Sequence, residues 1–509
     1  MQKRVINIFL FINILVGIYL TISAFLFSWK NIELTNEYVY KFNDGIITNI
    51  LFVIVCFAVI AFLIKREIII SKISTKKIAI IFSVLAVIIS IIWVITTKTA
   101  PQADSKAVCY AAMNFNAGDY TDLARGEYVA KYPQQLGLIT VMRVLFKLFG
   151  DYNYLSFQLL SCLAVFPIVY CTYEIISILS NQNKKIELIG IAIAFLCLPL
   201  YMYTSYVYGE ILSTAFIVIA FMLLMKCYND FSIAKLVMLA LTVMFAVMIR
   251  QNSVIAIIAM VGVVIFKAIV NDKRKVSLLL ALAIMVGVMS HSILIKALYD
   301  KHWPDDATHL PATLWIAMGT NNDILCAGWN NGLGSIVFEE SGYDEQASKD
   351  AAAYVIKSFK KLCLDNPSFA VDFYNRKITS QWCAPMYQGI VMNSYIEGEQ
   401  SVIAHEIFYN QRVWHVFDAF MNIYQLIVYI SILGLMIHCL KKDYGLEFYV
   451  GLITVFGGFL FSIIWEAKTR YIFPYLIMML PYAAIGAYML ASDLDILKDR
   501  FKQRIKRDK

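Results

Sequence analysis

About twelve apolar stretches, each near the length of a bilayer-crossing helix, constrain this chain more than any motif in it. They run over 5–28, 46–64, 78–97, 154–180, 187–206, 209–226, 236–250, 253–270, 276–299, 413–438, 446–464 and 472–492. Roughly twenty apolar residues let a helix cross hydrocarbon, where each backbone N–H and C=O must find its partner within the protein. The expected fold is therefore all-α and polytopic, with about 12 transmembrane helices. At 60% hydrophobic and 16% charged, a chain of 509 residues is far from the make-up of a water-soluble protein. The first stretch follows Met1-Gln2-Lys3-Arg4 and is too long for a signal-peptide core, so it reads as a signal anchor.

Basic residues set the expected orientation. Lys3, Arg4, Lys65, Arg66, Lys72, Lys76 and Lys77 fall on one side of the span count. So do Lys184, Lys185, Lys273 to Lys275, Lys441, Lys442 and the tail from Lys498 to Lys509. By the positive-inside rule that side is cytoplasmic, with both termini inside, as in a multi-pass protein of the plasma membrane. These anchors account for the net charge of +8, so the charge is no argument for a nucleic-acid partner. The ten cysteines show no CxxC and no metal-ligand spacing; six fall in or beside spans as small apolar fillers, and Cys109, Cys326, Cys363 and Cys383 fall outside, where they read as free thiols with a disulfide as the alternative.

The predicted external side is the elaborated one. Two helices within 1–77 precede a transmembrane core over 78–299, which carries an external loop over 98–153. A cap segment over 300–412, the last helices over 413–492 and a basic tail over 493–509 follow. In the cap, Asp344 is a candidate N-cap for a helix through Ala352, Val355, Ile356, Phe359 and Leu362, and Asn366-Pro367 ends it and starts another. In the loop, 101–110 reads as polar loop. Leu138, Val141, Met142, Leu145, Phe146 and Phe149 share one helical face opposite Arg143 and Lys147, the pattern of a helix lying flat at the membrane interface.

Charged residues recur where spans meet this side. Asp104 follows the third span, Glu210 opens the sixth, Arg250 and Gln251 turn from the seventh to the eighth, and Glu466, Lys468 and Arg470 precede the last. Charge so near hydrocarbon is costly unless paired or hydrated, which makes each a functional candidate. Their chemistry suits transfer of a group from a lipid-linked phosphate. A carboxylate takes the acceptor's proton, and cations hold the departing phosphate. Asp104 fits the first role; Arg250 and Arg470 fit the second through bidentate contact. Glu210, Tyr132, Tyr208, Gln251 and Glu466 are candidates for orienting substrate, with Tyr110, Tyr128 and Tyr206 as further rings for sugar faces. Each has a plainer reading: aromatic belt for the tyrosines, a snorkelling anchor for Arg470, a helix-start acid for Glu210, and a neutralising partner for Glu466. His302, Asp305, Asp306 and His309 read as a turn rather than a metal site.

These parts, in this order, resemble the GT-C superfamily of membrane glycosyltransferases, in the branch of protein O-mannosyltransferases and lipid A aminoarabinose transferases often labelled family 39. The resemblance rests on Asp104 in the first large external loop, Tyr132-Pro133, Leu148-Phe149-Gly150, the second acid Glu210, and Arg470-Tyr471-Ile472-Phe473-Pro474. The cap, with Trp315-Ile316-Ala317-Met318-Gly319 and Ser380-Gln381-Trp382, looks like that of Gram-positive relatives. The resemblance implies a GT-C-like fold, a polyprenyl-phosphate sugar donor, an extracytoplasmic acceptor, Asp104 as base and an inverting reaction. It requires no cofactor and is compatible with a divalent cation. Many relatives carry Asp-Glu where this chain has Asp104-Ser105. A transporter of lipid-linked glycan, and a non-catalytic envelope assembly protein, are the alternative readings. Transport usually shows as repeats with midplane charges, and here the charges gather at one interface with no repeat evident.

Overall fold

The computed structural model describes residues 2–32, 38–66, 70, 72, 74–271, 273–323, 326–409 and 411–507, with side chains as far as 493. The side chains of the expected basic tail lie outside these residues. Among the described residues ten helices are long and apolar enough to cross a membrane, and the fold they make is all-α and polytopic apart from one small hairpin. Of the two remaining expected spans, Ile233–Ile249 is apolar but shorter. The stretch 187–206 is not one helix: Lys184–Phe195 stops and Leu198–Met202 restarts. Pro199 is the reason, since it has no N–H to continue the ladder and its ring crowds the preceding turn. The Phe195 carbonyl freed by the break accepts from the Tyr201 hydroxyl.

The spans are not equivalent. In the most apolar 18 residues of Glu210–Asn229 and Phe473–Asp493, 83% and 78% are buried, against 22% in Ile46–Ile64 and Arg274–His302. The first pair forms the centre of the bundle; the second turns most of its apolar surface outward, where lipid tails replace a protein core. Contacts near the helix ends sort these helices into two ends. Lys3 meets Asp443, Thr75 meets Glu187, Lys226 meets Glu174 and Lys267 meets Glu447, all at the end the basic residues mark. The long loop, the cap and the turns carrying Glu210, Arg250 and Glu466 meet at the other.

At that second end the segment read as loop is a helix, Ala103–Ala117. Val108, Cys109, Ala111, Ala112 and Phe115 form its buried face, and Gly118, at φ +87°, ends it. The helix Leu136–Phe149 forms where expected, and much of its apolar stripe is buried in protein. Leu138, Met142 and Phe146 are buried, and a Cβ on Gly137 would lie 1.7 Å from the Met248 carbonyl. Only glycine admits that approach. Val144, Leu148 and Phe149 are the exposed apolar residues left to meet lipid. Arg143 is not on a solvated face: it donates to Asn116 Oδ1 at 3.2 Å and to the Phe115 carbonyl at 3.1 Å, pinning the two helices together.

The cap helices are Glu345–Asp365 and Pro367–Trp382, the first capped by Asp344 accepting from Ala347 N–H at 2.7 Å. Asn366 caps the second through Phe369 N–H. A hairpin of Phe27–Lys30 and Tyr40–Asn43, not anticipated from the sequence, bolts the first two spans to this cap. Trp29 donates to the Cys383 carbonyl at 2.8 Å and through Nε1 to Thr379 Oγ1 at 3.1 Å, and Lys30 pairs with Asp418 at 2.7 Å. All ten cysteines are unpaired.

Candidate functional site

A cavity of about 670 Å³ opens at the second end, between the start of Leu136–Phe149, the ends of Ile233–Ile249 and Arg274–Tyr299, the cap, and the 465–471 turn. Asp104, Tyr132, Tyr208, Arg250, Gln251, Glu466 and Arg470 line it together. Glu210 does not: it is 3% exposed and sits behind Arg250, on a chamber of about 20 Å³ that Arg250, Asn252, Arg470 and Tyr471 also line. Of the further tyrosines, Tyr128 lines the cavity, Tyr206 is buried against Arg470, and Tyr110 stacks on Tyr152 away from it. His302 stacks on Tyr120 and His309 faces Glu345 at 3.7 Å, so those two histidines serve separate partners.

Asp104 stands in the first turn of Ala103–Ala117, where the helix dipole favours an anion. The turn is tightly determined. Ser105 accepts from Gln102 N–H at 2.8 Å and donates back to the Gln102 carbonyl at 2.7 Å. Gln102 reaches the Val391 and Met392 carbonyls, and Ala100 N–H meets Tyr395 O at 2.9 Å. Ala103 is held at φ +44°, a left-handed conformation costly for a residue with a Cβ, of the kind that surrounding contacts must enforce. The strained residue immediately precedes Asp104.

Tyr208-Gly209-Glu210 carries the opposite wall. Gly209 has φ +92°, and a Cβ there would meet Ile249 Cγ2 at 2.6 Å. The chain can therefore turn into the sixth span while pressed against the end of the seventh. This places Tyr208 toward Asp104 and Glu210 behind Arg250. The Tyr208 hydroxyl accepts from Gln135 Nε2 at 2.5 Å and donates to Asp104 Oδ2 at 3.2 Å. Burial, helped by the Asp104 carboxylate, holds this phenol well above its ordinary range, so it remains a donor.

Two guanidinium groups share the Tyr208 ring. Arg250 lies 4.7 Å and Arg470 5.2 Å from its centroid. Arg250 Nη2 pairs with Glu210 Oε1 at 3.1 Å. Arg470 donates to the Tyr206 hydroxyl at 2.5 Å, and its backbone N–H to Gln388 Oε1 at 3.0 Å. Lys468 adds a third cation to the wall, 3.7 Å from Glu466 Oε1. An aromatic face completes the cavity: Tyr128, Tyr132, Trp315 and Trp465 follow one another with centroids 5.1, 6.1 and 5.8 Å apart.

Sequence reasoning did not single out Gln135, Trp315 or Trp465 as site residues, and it named Lys468 as a candidate without giving it a role. Trp465 directly precedes Glu466, and that adjacency was the available signal. Gln135 and Trp315 carry no signal of their own. Trp315 arrives because Gly319 packs where a Cβ would sit 2.7 Å from the Ile464 and Trp465 carbonyls, and because Ala467 N–H bonds Gly328 O at 2.8 Å. Those contacts seat the cap on the 465–471 turn.

Comparison with protein-family models and with curated proteins finds no match. Among solved structures the chain is similar to the archaeal oligosaccharyltransferase AglB from Archaeoglobus fulgidus, solved in complex with an inhibitory peptide and a dolichol-phosphate. The TM-score is 0.43 at 12% identity, over 84% of this chain and 52% of that one. The chain thus spans about half the length of that protein, and a likeness this loose carries no argument about chemistry.

Proposed function

We propose that this protein is a GT-C-like membrane glycosyltransferase that moves a sugar from a polyprenyl-phosphate donor to an acceptor hydroxyl on the extracytoplasmic face. One observation carries the reading: a cavity at the ends of the spans brings the half-buried carboxylate of Asp104 across from Arg250 and Arg470, with an aromatic wall beside them. A solvated face would scatter such groups. Here they converge on space large enough for a sugar phosphate.

Asp104 takes the proton of the acceptor hydroxyl as its oxygen bonds to the anomeric carbon. The bond from that carbon to the phosphate oxygen breaks, and the electron pair leaves with polyprenyl phosphate. Arg250 and Arg470 stabilise the charge that grows on the phosphate, and the proton on Asp104 later passes to water. Attack opposite the leaving group inverts the anomeric centre. Tyr132 and Gln251 meet the sugar, while Glu210 acts through Arg250 by holding its guanidinium in place. Glu466 balances Lys468. The lipid tail has a route at the helix pair Val254–Ile269 and Arg274–Tyr299. His291, Ser292 and Ile295 of the second of these helices line the cavity, and a separate apolar furrow of about 190 Å³ lies between the two helices at their opposite end.

A divalent cation finds little to hold it. The Ser105 hydroxyl is engaged with Gln102 in both directions, and no group of three or more His, Cys, Asp or Glu forms among the described residues. No step above runs through a metal.

The test uses wild type and Asp104→Asn in proteoliposomes with a panel of polyprenyl-phosphate sugars and native membrane extract as acceptor. Release of polyprenyl phosphate by wild type alone is the expected result and names the donor. Equal turnover by the variant removes Asp104 as base. Movement of lipid-linked glycan across the bilayer with no turnover replaces the transferase by a transporter.

A further inference from the structure

The Tyr208 side chain touches both halves of the proposed reaction and has little surface left for substrate. It is 3% exposed, its hydroxyl is taken by Gln135 and Asp104, and its ring lies against both guanidinium groups. A residue that orients substrate directly needs a free polar atom or an open face, and Tyr208 keeps neither.

We infer that Tyr208 is a positioning residue that couples the base to the phosphate-binding cations: its O–H aims the Asp104 carboxylate, and its ring spaces and steadies Arg250 and Arg470. The inference rests on the function proposed above and gives Tyr208 a role distinct from substrate contact. Two guanidinium groups so close repel each other. The electron-rich face of an aromatic ring attracts both, and Glu210 neutralises one from behind. The hydroxyl fixes a carboxylate that otherwise rotates freely about its side-chain torsions. Gln135 donates into the same oxygen and the Tyr128 hydroxyl lies 3.5 Å from it, so the Asp104 carboxylate, nearer at 3.2 Å and the stronger acceptor, takes the phenol proton. The two duties sit on separable parts of one side chain, so they can be removed one at a time.

Tyr208→Phe deletes the hydroxyl and keeps the ring; Tyr208→Leu deletes both. The probes are polyprenyl phosphate, titrated into protein in nanodiscs, and turnover of whichever donor wild type consumes from the panel. For Tyr208→Phe the expected Kd for polyprenyl phosphate stays within about twofold, while kcat falls on the order of 10- to 100-fold, the effect of a misdirected catalytic group. For Tyr208→Leu the Kd also weakens, by about tenfold, because both cation–ring contacts are gone. Wild-type turnover by Tyr208→Phe overturns the inference. So does equal loss of binding in the two variants. Should the leucine variant fail to fold, Tyr208→Phe decides alone, since parallel changes in Kd and kcat contradict a hydroxyl that acts only on the base. Asp104→Asn, measured alongside, separates the failures. If it retains turnover Asp104 is not the base and the proposed site fails, and if it is inactive while Tyr208→Phe is normal only the coupling role fails.

Discussion

The ion pairs beside the cavity differ from the exposed pairs at the basic end, although that end also keeps one buried cation, Lys267, 3% exposed against a Glu447 that is 28% exposed. At the basic end Lys3 and Asp443 meet with side chains 66% and 80% exposed, and Lys235 pairs with an Asp230 that is 85% exposed. Such pairs tie neighbouring loops together, are screened by salt and add little to stability. At the other end Arg250 and Glu210 are 13% and 3% exposed, and Lys468 and Glu466 are 7% and 4%. Removing those charges from water costs several kcal/mol per ion, so apolar residues of the same volume would give an equally stable bundle. Charge kept at that cost beside a cavity points to chemistry, and charge left in water points to topology.

The sharpest way to break this contrast is Asp104→Asn, which is expected to lower kcat by about 10²- to 10⁴-fold with an unchanged unfolding profile. A loss of folding in step with activity would put Asp104 among structural residues. Next in size is Arg250→Met, which strands Glu210 and is expected to cost about 3–5 kcal/mol in denaturant unfolding. Adding Glu210→Gln should recover most of that stability and none of the turnover. Recovery of turnover would remove Arg250 from phosphate binding. Gly209→Ala follows, at about 1–3 kcal/mol from left-handed strain together with the approach to Ile249.

Lys377 gives the contrast a pH dependence. It is buried in the cap helix and donates to the Gly319 carbonyl at 2.5 Å. Burial pushes its pKa down to about 7 from 10.5, with Glu466 pulling the other way. Between about 7 and 10.5 the unfolded chain binds a proton that the folded chain does not, so this group makes stability rise with pH across that window and adds no slope below it. Relative to wild type, Lys377→Met should flatten the rise of Tm between pH 7 and 10. An identical slope in the variant would mean Lys377 stays charged in the fold. The smallest effect belongs to Asp443→Asn, where Tm should stay within about a degree and turnover should not change.

The spans were legible because hydropathy is a local property, and the caps at Asp344 and Asn366 because a capping side chain lies within three residues of what it caps. The site was legible only as a set of charges at span ends. That Glu210 faces inward while its neighbour Tyr208 faces Asp104 depends on the φ of Gly209, set by the packing of Ile249 against it. The loop reading of 101–110 failed by giving Pro101 and the polar residues more weight than the spacing of Val108, Ala111, Ala112 and Phe115. The break after Phe195 was signalled by Pro199, which the apolar run outweighed. The hairpin had no local signal strong enough to read. Its strands are four residues each, and its partners lie in the cap and in the span Arg412–Cys439.

That hairpin also fixes an order of events. Trp29 reaches Thr379, 350 residues later in the chain, and Tyr19 reaches Asn375 across 356. At about 5–20 residues per second a ribosome takes on the order of tens of seconds to make that interval. Throughout it the first two spans sit in the bilayer with an indole and a lysine waiting for partners not yet made. Assembly of this protein therefore closes from its last-made parts back onto its first, and a factor that shelters the early helices would act during that wait.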